Sequence, residues 1–109
     1  MTDIVDLLSL AASGDGVAWS ANPEGVNVNL VVLGPHGAIP THRNDAVDVL
    51  VVVLDGSLDV AVDDACVTVA AGHATVIPCC TTRTLTAGVD GSRHLTVHRA
   101  RPPMQPARR

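Results

Sequence analysis

The sequence predicts an all-β domain, a jelly-roll barrel of short antiparallel strands preceded by one short helix. Three observations predict it. Apolar residues make up 47% of the chain and are almost all Val, Leu, Ala and Ile, with Phe and Tyr absent and Trp19 the single aromatic residue. β-branched aliphatics of this kind suit pleated strands. Turn-forming clusters recur at a spacing of about ten residues, as in a sandwich or barrel. Between those clusters, apolar and polar residues alternate with the period of two that marks a strand with one buried face.

Taken in order, Ile4, Leu7, Leu8 and Ala11 stand at helical spacing behind Thr2, a suitable N-cap, and predict a helix over Asp3 to Ala12. Ser13-Gly14-Asp15-Gly16 ends it, and Val17 to Ala21 reads as a strand carrying Trp19. Asn22-Pro23-Glu24-Gly25 is a turn. Beyond it Val26, Val28 and Leu30 point one way and Asn27 and Asn29 the other, until Val31-Val32-Leu33 makes both faces apolar. Gly34-Pro35 closes this strand. Ala38-Ile39 then leads through Pro40, a residue suited to an edge or a strand end.

Val49 to Leu54 reads as a strand buried on both faces, and Asp55-Gly56 as a tight turn. Leu58, Val60 and Val62 alternate with Asp59 and Ala61, and Asp63-Asp64 turns into Cys66-Val67-Thr68-Val69. Ala74 to Pro78, Thr81 to Ala87 and His94 to Arg99 give three more strands, the last two separated by a turn over Gly88-Val89-Asp90-Gly91. The sum is about eight to ten strands in a meander, which a barrel closes with few free edges. The domain plan is therefore a helical segment over 1–16, a barrel over 17–101 and an extended or disordered tail over 102–109, where Pro102, Pro103 and Pro106 forbid regular structure.

A length of 109 residues fits one domain. The net charge of -4 excludes a nucleic-acid footprint, which needs clustered basic surface; four of the seven basic residues, Arg99, Arg101, Arg108 and Arg109, sit at the C-terminal end. No apolar run reaches the roughly eighteen residues of a membrane-spanning helix, so no membrane partner is expected. Cys66, Cys79 and Cys80 form no spaced disulfide framework, and a reduced, cytoplasmic setting is expected. An apolar strand such as Val49 to Leu54 calls for a covering layer that a second copy can supply, so a homodimer is expected.

The stretch from Gly34 to Gly56 concentrates the polar chemistry. His42, Asn44 and Asp48 fall within seven positions and run directly into the apolar strand, so a polar site is expected at the mouth of a buried strand. His36 and His73 sit beside glycines in turns and read as solvated. His94 and His98 share one face of the final strand. Cys79 and Cys80 follow Pro78 in a turn, where small residues are the ordinary choice. No Ser-His-Asp arrangement with elbow geometry and no Gly-rich phosphate loop is present.

These residues resemble the two motifs of the cupin superfamily of small β-barrels. His42-Arg43-Asn44, then Val49, then Gly56 is similar to one motif; Gly72, Pro78, Cys80, Arg83 and Ala87 are similar in spacing to the other. Residues 26 to 103 carry the likeness. The run His42 to Leu50, Arg83, and Leu95 to Pro103 is similar to a group of short, largely uncharacterised actinobacterial-type cupins. The resemblance implies a double-stranded β-helix. It also maps His42 onto the family's first metal-binding His, Asn44 onto its second, Val49 onto its Glu and Arg83 onto the His of the later motif, so one of four metal ligands remains.

Two chemistries follow from that mapping. A cupin metal enzyme, of dioxygenase or isomerase type, would hold a divalent transition metal such as Fe, Mn, Ni or Zn through His42 with Asp48 or His98. Asp48 serves only if a bulge turns it inward, because one residue of register reverses the face. Arg83 argues the other way: a guanidinium stays charged, has no lone pair to give and repels a divalent cation. It suits a small anion, with His42, Asn44, Asp48, Arg83 and His98 lining the pocket and no metal required. An internal pairing of Arg83 with Asp45 or Asp48 and a purely structural dimer with a plugged barrel stay open beside these. The preferred expectation is a small-molecule binder with a degenerate metal site.

Overall fold

The computed structural model describes residues 4–12 and 14–100. Seven strands are described: β1 (Gly16–Ala21), β2 (Val26–Leu33), β3 (Ala38–Asn44), β4 (Val49–Val62), β5 (Ala65–Ala70), β6 (Ala74–Ile77) and β7 (Thr81–Arg99). All pair antiparallel, in the order β1-β2-β7-β4-β5, with β3 also on β7 and β6 also on β4.

The two long strands explain why seven are found where eight to ten short ones were expected. Asp55-Gly56 and Gly88 to Gly91 are bends within β4 and β7 rather than hairpin turns. Pairing between the two strands shifts register at Val53/Asp55 and Gly56/Leu58, and Gly56 and Gly91 both take positive φ, 72° and 80°. A Cβ on Gly56 would collide with the Gly91 carbonyl. The same residues that make hairpin turns also make bulges, and here the strands bend together.

Each long strand thereby serves two layers. The first half of β4 pairs with β6 and with the second half of β7, which continues to β2 and β1; the second half of β4 pairs with β5 and with the first half of β7, which continues to β3. Val31, Leu33, Val49, Val51, Val53, Leu58, Val60, Val69, Ile77 and Leu85 meet between the layers as one core. This is the expected jelly-roll architecture.

Two expectations are corrected. No helix forms over the described part of residues 3–12; residues 7–9 make a turn. Asp6 accepts from the Leu8 amide and the Ser9 hydroxyl, and Arg93 Nη1 donates to the carbonyls of Leu7 and Leu10, at 3.0 and 2.6 Å. These side chains occupy backbone groups that a helix would otherwise engage. Val49 to Leu54 is buried on one face only, since Leu50 is 37% exposed while Val49, Val51 and Val53 are buried. On β2, Asn29 and Val31 share the face that lines the lumen. Thr2 and the tail over 102–109 lie outside the described residues.

Candidate functional site

The site grows from the pairing of β3 with β7. Pro40 has no amide hydrogen to give the ladder, and the register shifts between Ile39 and His42 as β3 passes it. Below the shift His42 stands directly opposite Arg83, so both side chains fall on one face. That face looks into a lumen cavity of about 170 Å³. Its polar lining is Asn29, His42, Arg83, Thr96 and His98, and its apolar walls include Val31, Val49, Val51 and Leu85.

Hydrogen bonds define the His42 tautomer. Nδ1 lies 2.9 Å from the Pro40 carbonyl, which can only accept, so Nδ1 carries the proton. Nε2 is then the acceptor, and it receives Arg83 Nε at 3.1 Å. Arg83 is buried, at 6% exposure. At the rim, His98 Nδ1 donates to the Arg99 carbonyl at 2.9 Å.

His42, Arg83 and His98 line one lumen cavity, while Asn44 and Asp48 do not; Asp48 meets His98 only along an outer cleft. Asn44 is buried, but its Oδ1 accepts from the amides of Ala46 and Val47 at 2.8 and 3.3 Å. It shapes the loop and does not line the lumen. Asp48 is exposed and its Oδ1 accepts from the Cys79 amide at 2.7 Å. The ladder from Val49↔Ile77 to Val52↔Ala74 is regular, so no bulge turns Asp48 inward and Val49 takes the lumen position. Asp45, the other candidate partner of Arg83, pairs with Arg43 at 2.6 Å. His36 and His73 are exposed, as expected.

Sequence reasoning missed Asn29 and Thr96 as lumen residues, and the burial of His94. Asn29 and Thr96 are polar residues in otherwise apolar strands, a pattern that fits either solvent or a lumen. His94, on the same face of β7 as Thr96 and His98, is fully buried; Nδ1 lies 3.3 Å from Ser92 Oγ, and Nε2 has no partner among the described residues. Burial lowers its pKa to about 4, so the ring is neutral at physiological pH.

The donor set does not fit a resident transition metal. The His42 lone pair is engaged by Arg83, a cation sits at the position of a second ligand, and Val49 offers none. No group of three His, Cys, Asp or Glu side chains able to hold a metal ion is found among the described residues. The alternative set of His42, Asp48 and His98 fails because Asp48 faces away from the lumen.

Sequence comparison finds no matching family model and no matching curated protein. Solved structures do match. The TT1209 protein of Thermus thermophilus superposes with a TM-score of 0.77 at 22% identity, over 93% of this chain and 100% of that one. A cupin-2 domain protein of Shewanella frigidimarina gives 0.68 at 20% identity, over 85% and 86%. An oxalate oxidase in complex with the substrate analogue glycolate gives 0.64 at 22% identity, over 73% of this chain and 44% of that one. No helix is long and apolar enough to cross a membrane among the described residues. The chain has the cupin fold.

Proposed function

We propose that this chain binds a small carboxylate in the barrel lumen, with Arg83 as the principal contact. The observation that carries the reading is the buried Arg83 guanidinium, held on His42 inside a cavity of about 170 Å³. A fixed cation in a small, largely apolar-walled cavity attracts an anion strongly, because low dielectric weakens screening. Guanidinium also matches a carboxylate in planar, forked geometry. Asn29, Thr96 and His98 also line the cavity, and their polar groups would receive the remaining oxygens of a ligand such as a 2-hydroxy acid. A glycolate complex of a protein sharing the fold supports the size and charge class.

Thermal shift with formate, acetate, glycolate and lactate, against chloride at equal ionic strength, tests the proposal. Stabilisation by at least one carboxylate, absent in Arg83→Gln, is expected. No stabilisation, or the same stabilisation in the variant, contradicts it. Stoichiometric metal in purified, tag-free protein, lost in His42→Ala, would favour the metal-enzyme alternative.

A further inference from the structure

A separate feature, a pair of adjacent thiols, is hydrogen-bonded to the 44–48 loop. Cys79 and Cys80 occupy the turn between β6 and β7, both as free thiols, with Cys80 exposed and Cys79 half-buried in an outer cleft. The turn is held from several sides. Cys79 N donates to Asp48 Oδ1 at 2.7 Å, Cys80 N donates to the Asn44 carbonyl at 2.8 Å, and Thr81 Oγ1 donates to the Pro78 carbonyl at 2.8 Å. Cys80 has φ of 70°, a left-handed conformation in which a residue with a Cβ is strained and glycine is not. Strain of that kind at an exposed, reactive side chain points to a use.

From the fixed turn, the paired thiols and the strained Cys80, we infer that Cys79 and Cys80 form a vicinal dithiol site for thiophilic trivalent arsenic. The neighbouring thiol of Cys80, followed by burial, raises the Cys79 pKa. A raised pKa disfavours thiolate chemistry such as attack on peroxides. It does not hinder condensation with an arsenic(III) oxide. In that step two As–S bonds form, the As=O bond and both S–H bonds break, and oxygen leaves as water with the two thiol protons. Arsenic remains trivalent and no oxidant is needed. Adjacent Cα atoms are only about 3.8 Å apart across a trans peptide, at or below the short limit for a relaxed disulfide. A bridging arsenic atom relaxes that constraint by widening the ring.

Intact-mass measurement of the full chain with phenylarsine oxide tests this site. One arsenical per chain is expected, with loss of one water, resistant to excess monothiol and removed by a dithiol. Cys66 is a single exposed thiol, so Cys66→Ser should leave the adduct unchanged. Cys80→Gly should abolish it while folding well, since glycine is at ease at this φ; Cys79→Ser provides a second variant, and a cooperative melt confirms that each is folded. No adduct, an adduct stripped by monothiol, or one that persists in Cys80→Gly would overturn the assignment.

Discussion

Arg83 donates through Nε to Nε2 of His42 across 3.1 Å, from directly opposite positions on β7 and β3. The bond uses the lone pair with which a histidine would bind a metal. It also holds the guanidinium in place, so that a fixed positive charge lines the lumen. The Pro40 carbonyl supports the arrangement from behind by fixing the imidazole proton on Nδ1. One backbone carbonyl, one imidazole and one guanidinium therefore form a chain in which each member orients the next.

Acid should destabilise the protein through His94. Its folded pKa of about 4 lies below the ordinary 6.5, so on acidification the unfolded chain takes up a proton before the folded one does. The associated stability is fully present above about pH 6.5 and is lost as pH falls towards 4, on the order of 3 kcal/mol in total. Urea denaturation at steps across that window should show this slope in wild type and a reduced slope in His94→Leu. Equal slopes would contradict the assignment.

Gly56→Ala should be strongly destabilising. The new methyl would meet the Gly91 carbonyl and would sit at a φ of 72°. Strain and collision together are expected to cost about 3 kcal/mol, read as a lower denaturation midpoint. Gly72→Ala provides the contrast: φ is 85° but nothing lies near the added Cβ, so only the backbone term, about 1 kcal/mol, is expected.

Asn44→Ala should cost about 2 kcal/mol, because the Ala46 and Val47 amides both lose their acceptor. Since Asn44 does not line the lumen, carboxylate affinity in the folded variant should change less than in any Arg83 variant. Chemical denaturation and ligand titration on the same sample separate the two effects.

A homodimer through the outer sheet face is proposed from the cleft walled by Val26, Leu50, Val76 and Val97; Cys79 lines the same cleft, so a second copy seated there and an arsenical on Cys79 and Cys80 compete. Leu50 and Val76 are exposed there, at 37% and 57%, and a second copy would cover them. Light scattering at micromolar concentration should give a dimer mass for wild type and a monomer mass for Leu50→Arg. A monomeric wild type would remove the proposal.

The parts of the molecule that follow from periodicity were legible in the chain. β2 is found over Val26–Leu33, where alternation placed it, and Asp63-Asp64 joins β4 to β5 as an antiparallel hairpin, as expected. The bends at Gly56 and Gly91 were not, because positive φ serves a hairpin turn and a bulge equally well. Within the site, motif spacing brought out His42 and Arg83, since residues opposed across a ladder keep fixed offsets. Asn44 and Asp48 misled because short polar side chains beside turns bond local backbone, and no local pattern distinguishes that from a ligand contact. Asn29 was obscured because polar alternation looks the same whether it faces water or a lumen. The burial of His94 depends on β2 and β4 closing over it from either side, which is tertiary information.

The central claim is that Arg83 makes the lumen an anion site, and isothermal titration of glycolate into the protein at neutral pH tests it most directly. One saturable site per chain is predicted, with affinity at least about tenfold weaker in Arg83→Lys, which loses the guanidinium fork, and no measurable binding in Arg83→Gln. Absence of binding in wild type, or equal binding in Arg83→Gln, would contradict the account.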